Sequence, residues 1–186
     1  MSEKKEWLVY RAEEKVSLVI LTPDEAEPLC RMFNQKELAE FIPSSQPMYP
    51  AAERKYLEEL PERKPTYLFG IVRNDTKKLI GTVGLHQVDQ KHRTATIGMM
   101  IGSQDDREQG FGARAGALLL DFAFNELNLR KLRAEAFAHN KRSQALIRKL
   151  GGQEEGIFRQ QFFVNGRYVD AVSFSIFRPG AAEPKP

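Results

Sequence analysis

The residues best suited to chemistry lie in one short segment that holds an arginine and two glycines. It reads Arg-Glu-Gln-Gly-Phe-Gly from Arg107 to Gly112, and it follows a run, 94–101, in which apolar side chains alternate with smaller or more polar ones. That period of two predicts a strand, and the apolar spacing of 111–127 predicts a mostly buried helix. A glycine turn at a helix start presents free backbone N–H groups at the positive end of the helix dipole. The segment therefore suits an anion such as phosphate.

Two well-known phosphate-binding loops do not fit this segment. A Walker loop requires a Lys directly after its second glycine, and none follows Gly112. The dinucleotide-binding fingerprint requires a third glycine at the position that Ala115 occupies. A tight strand-to-helix turn that binds nothing is the plain alternative, and the glycine pattern alone leaves both interpretations open.

Length, composition and charge restrict the class of protein. A chain of 186 residues with 41% hydrophobic and 28% charged residues is expected to form one soluble domain. No apolar run approaches the ~20 residues that span a bilayer, and the charged start lacks a signal-peptide core. The single cysteine, Cys30, excludes an internal disulfide framework and favours a reducing cytoplasm. A net charge of +3 is too small to indicate nucleic acid, although it suits a polyanionic cofactor.

Apolar periodicity and turn residues divide the chain into seven predicted strands and four predicted helices. The predicted strands are 16–21, 67–72, 79–88, 94–101, 131–138, 157–164 and 168–177. The predicted helices are 26–33 (after the N-cap pattern Thr22-Pro23-Asp24-Glu25), 51–60, 111–127 and 140–150. A proline-rich loop is expected at 41–50, a tight hairpin turn at Asn165-Gly166 and a disordered tail at 181–186.

This order of elements resembles the GNAT superfamily of acetyltransferases over roughly residues 17–177. The first local pattern behind the resemblance is the strand that runs directly into Arg107-x-x-Gly110-x-Gly112, which is similar to the family's acyl-CoA pyrophosphate loop.

Two further patterns lie in the second half of the chain. Asn140-x-x-Ser143, followed by Lys149-Leu150-Gly151, is similar to the family's signature after the fifth strand. The segment Gly166-Arg167-Tyr168-x-Asp170 resembles the closing hairpin of one branch, which contains ribosomal-protein N-terminal acetyltransferases and spermidine acetyltransferases.

The resemblance implies a fold, a reaction and a cofactor site. The fold is α/β (α+β): a single domain whose mixed, mostly antiparallel sheet has about seven strands and about four flanking helices. The reaction moves an acetyl group from acetyl-CoA directly to a primary amine, with no metal. The residues implied to bind acetyl-CoA are Met99, Met100 and Ile101 along the pantetheine, Arg107, Glu108, Gln109, Gly110, Phe111 and Gly112 at the pyrophosphate, and Asn140 and Ser143 in the following helix.

The catalytic residues are less directly implied. Many family members have a tyrosine acid in the helix after the fifth strand, and counting from Asn140 places Ile147 there. Ser143 is therefore the candidate for a hydrogen bond to the departing sulfur, with an ordinary first-turn serine as the alternative. No carboxylate lies in 94–100, so the general base is sought in Glu135 and His139, which alternate to one face of the next strand. His86 lies on the strand meander, and a water relay is left open as well.

The acceptor amine is also left open. A protein or peptide N-terminus is the leading expectation, because the 41–50 loop with helix 51–60 and the hairpin with Arg159, Tyr168 and Asp170 would form two walls of an open cleft. Spermidine or an antibiotic amine is the alternative within the class, and glutamates of helix 51–60 would favour a polyamine. An acyl-CoA-binding sensor without catalysis is the alternative outside it. We expect no nucleic-acid or membrane partner, and the sequence leaves open a homodimer and the preferred acyl length.

Overall fold

The structure is a computed structural model that describes residues 6–41, 46–63 and 66–180. Within these ranges eight strands form one sheet, in the order β1-β2-β3-β4-β5-β6-β8-β7. The strands are β1 Val9–Ala12, β2 Val16–Ile20, β3 Tyr67–Arg73, β4 Leu79–Asp89, β5 Thr94–Ile101, β6 Lys131–Phe137, β7 Gln153–Val164 and β8 Arg167–Phe177. The α-helices of the same ranges are α1 Ala26–Phe33, α2 Lys36–Ala39, α3 Pro50–Glu59, α4 Phe111–Asp121 and α5 Lys141–Lys149.

The sheet is mixed, and its one parallel pair lies near its middle. All other neighbouring strands pair antiparallel, whereas β5 and β6 run in the same direction. A parallel pair requires a crossover connection, and α4 supplies it. The mixed, mostly antiparallel sheet predicted from the sequence is therefore confirmed, with eight described strands instead of about seven.

Apolar side chains cover both faces of the sheet. On one face, Val83, Leu85 and Ala95 pack with Ala115 and Leu119 of α4. The opposite face, which we call the α1/α3 face, packs Val19, Val72 and Leu79 against Leu29 of α1 and Leu57 of α3. Because side chains alternate along a strand, every strand residue can be assigned to one face or the other.

The additional strand is β1, which the sequence analysis did not predict. Its four residues show no buried/exposed alternation, so no period-two pattern marks it. Distant contacts hold it: the Tyr10 ring stacks on Phe69 with centroids 5.1 Å apart, and Arg11 forms ion pairs with Asp121 and Glu126. The strand predicted to come first is thus the second strand.

The helix predicted over 111–127 changes its winding before it ends. It is α-helical from Phe111 to Asp121 and becomes a π-helix from Phe122 to Glu126. Phe122, Ala123 and Phe124 are all buried in this wider turn.

Local turn and cap chemistry was predicted more accurately. Thr22 and Glu25 form the expected capping box ahead of α1. Asn165 and Gly166 have φ angles of 49° and 78°, as a two-residue hairpin turn requires. The expectation of a disordered 181–186 tail, like part of the 41–50 loop, lies outside the described residues.

Candidate active site

The centre of the sheet opens between its two parallel strands. β5 and β6 pair only where Thr94–Thr96 lie beside Lys131–Arg133. On its other side β5 stays paired with β4 up to Ile101. Residues 97–101 are consequently half-buried, although they lie on a central strand. Backbone groups of this segment that point towards β6 have no strand partner, so an extended ligand can pair with them as a further strand would.

The loop that follows β5 presents its backbone to the same opening. Glu108 and Gly110 have positive φ angles of 61° and 83°, which turn the chain sharply before α4 begins. Among the described residues no hydrogen bond engages the amide N–H groups of Glu108, Gln109 or Gly110. The first backbone bond of α4 runs from Arg114 N to Gly110 O, so the N–H groups of the preceding turn are also free of helical partners. These donors, with the helix dipole, fit a pyrophosphate.

Gly110 leaves open space beside this turn. An added Cβ would meet no heavy atom within 4 Å, so the protein itself leaves room there. Gly112 is different, because a Cβ on it would lie 3.3 Å from the Leu146 side chain of α5 and 3.4 Å from Met99 Sδ. The first glycine of the pattern permits the turn and the approach of a ligand, whereas the second permits close packing of α4 beside α5 and β5.

The Arg107 side chain stabilises the loop by hydrogen bonds to its backbone. Its Nε and Nη2 atoms donate to the carbonyl oxygens of Ile101, at 3.1 Å, and Gly102, at 2.7 Å. Burial and then the like charge of Arg142 lower the pKa of this guanidinium, against an opposing effect of Glu37. Because Nε and one N–H of Nη2 bind the chain's own carbonyl groups, direct assistance to a pyrophosphate would use Nη1 or the second N–H of Nη2, and it stays a prediction.

A buried ion cluster, which the sequence analysis missed, anchors the loop to the sheet. Asp106 is 2% exposed, and its carboxylate lies 2.8 Å from Arg73 Nη1 and 3.0 Å from Lys78 Nζ. The Arg73 guanidinium also lies 4.8 Å from the ring centroid of Phe111, the first residue of α4. We call Asp106, Arg73 and Lys78 the loop anchor. No local pattern distinguishes Asp106 from its exposed neighbour Asp105, because its partners come from the β3–β4 turn.

Helix α5 lies beside the loop. Asn140 is its N-cap, and its side-chain oxygen accepts a hydrogen bond of 3.0 Å from Ser143 N. The N-cap alternative for Asn140 is therefore seen directly, whereas its contact with acetyl-CoA stays a prediction. Arg142 also pairs with Glu108 of the loop, at 2.6 Å. Ser143 shares a helix face with Leu146, which packs on Gly112, so its hydroxyl lies on the side of α5 that faces the loop.

Ile147 does not take part in proton transfer. It is 8% exposed and packs with Ala134, Ala136 and Phe174. An aliphatic side chain cannot donate a proton, so this position does not supply the acid that a tyrosine provides in many members of the family.

The two candidate bases on and beyond β6 lie apart. Glu135 is exposed on β6 and faces away from the buried Ala134 and Ala136. His139 lies beyond the end of β6, in the turn before α5. The expectation that it shares a strand face with Glu135 is therefore wrong. Its Nε2 lies 3.2 Å from the carbonyl oxygen of Glu40, which requires the proton on Nε2 and leaves Nδ1 as the basic atom.

Two glycines lie on the α1/α3 face beside the opening. Gly84 of β4 and Gly98 of β5 lie directly opposite each other in the sheet register. Both alternate with residues of the α4-side core, so both are directed to the α1/α3 face. Glycines inside strands mark places where a ligand or another backbone approaches closely, and at Gly84 that neighbour is β3, because an added Cβ would clash with the carbonyl oxygen of Tyr67. We call this pair the glycine floor.

The expected walls of the cleft are held by internal contacts. On one side, Asn34 and the backbone of Met48 exchange two hydrogen bonds of 2.8 Å. On the other, Asp170 pairs with Arg159 at 2.7 Å, and a hydrogen bond from the Gln160 backbone and then this arginine lower the pKa of its carboxyl. Tyr168 is 66% exposed. The direct acceptor contacts expected of the hairpin stay predictions.

The described ranges lack two features that other classes of protein use, a membrane-spanning helix and a metal-binding cluster. Their helices include none that is both long and apolar enough to cross a membrane. Their His, Cys, Asp and Glu side chains form no group of three or more that could hold a metal ion.

Several known proteins are similar to this chain in sequence. The YoaA N-acetyltransferase of Bacillus subtilis, which is uncharacterized, is 40% identical over 60% of this chain and 62% of its own length. The putative ribosomal N-acetyltransferase YdaF of the same organism is 29% identical over 90% and 94%. The spermidine N(1)-acetyltransferase of Escherichia coli is 35% identical over 53% and 52%. The chain thus spans about half to nearly all of the length of these relatives.

Solved structures agree with the fold. A probable acetyltransferase superposes with a TM-score of 0.81 and 26% identity, over 91% of this chain and 96% of that chain. A spermidine N-acetyltransferase from Vibrio cholerae, solved with CoA and spermine, superposes with a TM-score of 0.80 and 24% identity, over 87% and 95%. The family model described as the acetyltransferase (GNAT) domain matches residues 15–153, well over half of the chain. This chain therefore belongs to the GNAT family of acetyl-CoA-dependent N-acetyltransferases.

Proposed function

We propose that this enzyme acetylates the free amino group of a peptide or protein N-terminus. The observation that carries the proposal is the opening between β5 and β6, which connects the amide-lined loop on the α4 side with the glycine floor on the α1/α3 face. A donor molecule bound at the loop and an acceptor amine bound over the floor would meet in that opening, as direct transfer requires.

Each part of the opening has a task in this reaction. The loop amides of 108–112 and the start of α4 hold the pyrophosphate of acetyl-CoA. The unpaired edge of Met99–Ile101 aligns the pantetheine by backbone hydrogen bonds. An N–H near Met99 or Met100 donates to the thioester oxygen as negative charge grows on it. The Ser143 hydroxyl faces the same region and is the candidate donor to the departing sulfur.

The carboxylates of α3 argue against a small polycation as the preferred acceptor. Glu59 is engaged by Arg63 at 2.6 Å and by Lys55 at 3.8 Å. Glu53 is 9% exposed, and burial raises the pKa of its carboxyl, which favours its neutral form. Glu53 and Glu59 are therefore poorly suited to bind a polyamine, whereas Glu58 and Glu62 are exposed.

Spermidine is the second candidate acceptor. The sequence favours it, because this chain is 35% identical to the spermidine acetyltransferase of E. coli and 25% identical to the ribosomal-protein uS5 alanine acetyltransferase of the same organism. That similarity covers about half of the chain, so it weighs less than the arrangement of the carboxylates.

A competition experiment separates the two acceptors. The enzyme receives acetyl-CoA with equal concentrations of spermidine and a short peptide that has a free N-terminus and no lysine, and mass spectrometry measures both products. We expect the peptide to have the higher kcat/KM. Acetylation of spermidine alone would contradict the peptide proposal and leave the acetyltransferase assignment in place.

A further inference from the structure

We propose that His86 is the general base of the acetyl transfer, with its Nε2 atom over the glycine floor as the proton acceptor. This inference rests on the proposed function and adds a catalytic residue to it. The sequence alone placed His86 only on a strand meander and favoured other residues as the base.

The position of the ring carries the proposal. His86 lies on β4, two residues after Gly84, so both face the α1/α3 face of the sheet. A Cβ added to Gly98 would lie 3.3 Å from His86 Nε2 and 3.4 Å from its Cδ2, so the ring leans across the space that this glycine leaves free. Since Gly98 lies just past the last residue of β5 paired with β6, Nε2 borders the opening through which the two substrates must meet.

The ring is free to act as a base. It is half-buried, and within the described part of the chain neither ring nitrogen has a hydrogen-bond partner. Burial lowers the pKa of His86 from its ordinary value of 6.5, so the neutral form prevails at neutral pH. A neutral imidazole with an unoccupied nitrogen can accept a proton from an ammonium group.

The other ionisable groups near this face are less suited to the task. His139 lies beyond β6 with Nε2 on a backbone carbonyl, and Glu135 is exposed on β6. Titratable side chains that the neighbouring elements add to the α1/α3 face include Arg133 and Glu135 of β6, Cys30 of α1, and Glu53 and Tyr56 of α3. Burial is the cause of the lowered pKa of His86.

The proposed step balances in atoms and charge. Nε2 of His86 takes one proton from the acceptor ammonium, which leaves a neutral amine with a free electron pair. That pair forms the new C–N bond at the thioester carbonyl carbon, and the C–S bond then breaks with its electrons on sulfur. The second proton lost by the nitrogen goes to the departing sulfur, and His86 later releases its own proton to water.

The test compares His86→Gln with a matched control, His92→Gln. His92 is exposed on the β4–β5 turn, where it pairs with Asp89 at 2.7 Å, so its replacement removes a histidine away from the glycine floor. A lysine-free peptide and spermidine serve as acceptors, and kcat/KM is measured between pH 5 and 9. We expect His86→Gln to lower kcat/KM by roughly 10²–10⁴-fold near neutral pH while acetyl-CoA affinity and Tm stay unchanged. His92→Gln should match the wild type.

The pH profile separates a catalytic role from a structural one. In the wild type, kcat/KM should fall as pH drops through the pKa of His86, because the protonated ring accepts no further proton. In His86→Gln this decrease of kcat/KM at low pH should disappear. In His86→Ala, added imidazole should restore part of the rate. A loss of less than about threefold in a chemistry-limited assay, or an unchanged decrease of kcat/KM at low pH, would overturn the proposal. Absence of turnover by the wild type with both amines would instead overturn the proposed function on which it rests.

Discussion

At the scale of single residues, Gly110 combines a backbone requirement with a binding requirement. Its φ of +83° lies in the region that L side chains rarely adopt, and the space beside it is open. A side chain there would strain the turn by about 1–2 kcal/mol and would also occupy the space of an approaching phosphate. These two effects can be separated, because Gly166 in the β7–β8 turn has a similar φ of +78° and equally open surroundings.

We predict that Gly110→Val abolishes acetyl-CoA binding measured by calorimetry, whereas Gly166→Val leaves it unchanged. Both variants should lose similar thermal stability, because both strain a left-handed backbone position. Equal acetyl-CoA affinity in Gly110→Val and the wild type would show that the loop does not hold the pyrophosphate.

Ser143 permits a second test at this scale. Its hydroxyl should matter mainly as negative charge develops on the departing sulfur, so Ser143→Ala should lower kcat by roughly 10²-fold or less. The dissociation constant of acetyl-CoA should change little, because the Asn140 cap bonds the Ser143 backbone and survives the substitution. An unchanged kcat in an assay limited by chemistry would remove Ser143 from the mechanism.

At the scale of the elements, the loop depends on the loop anchor that joins it to β3 and β4. Asp106 is buried beside Arg73 and Lys78, so removal of its charge would take a carboxylate partner from both cations, although Arg73 would keep its pair with Asp75 at 2.7 Å. Removing one member of a buried ion pair typically costs about 3–5 kcal/mol, although the exposure of Lys78 should reduce that here. The same pair holds Arg73 over Phe111, so the start of α4 should shift as well.

We predict that Asp106→Asn lowers Tm and weakens acetyl-CoA binding. Asp105→Asn is the matched control, since Asp105 is exposed and should tolerate the loss of its charge. Thermal unfolding and calorimetry measure the two effects. If Asp106→Asn and Asp105→Asn have the same Tm and the same affinity for acetyl-CoA, the loop anchor does not position the loop.

The elements also show where prediction from the sequence succeeds and where it fails. Local chemistry determines the capping box at Thr22 and the hairpin turn at Asn165-Gly166, so both were predictable. β1 and the loop anchor depend on partners that are distant in the chain, such as Glu126 for Arg11 and Arg73 for Asp106. The sequence places His86 on a strand but does not reveal that its ring lies beside Gly98, because that proximity depends on the pairing of β4 with β5.

At the scale of the whole molecule, one sheet separates two approaches to one opening. Helices α4 and α5 with the loop lie on the donor side, and the glycine floor with His86 lies on the α1/α3 face. The separation of β5 from β6 past Thr96 connects them. The homodimer left open by the sequence stays a prediction. This arrangement suits direct transfer, the proposed mechanism, in which both substrates are present in the opening at once.

Direct acetyl transfer at the β5–β6 opening can be tested by following both products of one reaction. The wild-type protein, acetyl-CoA and the lysine-free peptide are mixed, free CoA thiol is measured, and mass spectrometry detects the acetylated N-terminus. We predict one thiol for each acetylated peptide and no acetylated protein intermediate. Tight acetyl-CoA binding without thiol release, against the peptide or spermidine, would identify a sensor and contradict the account.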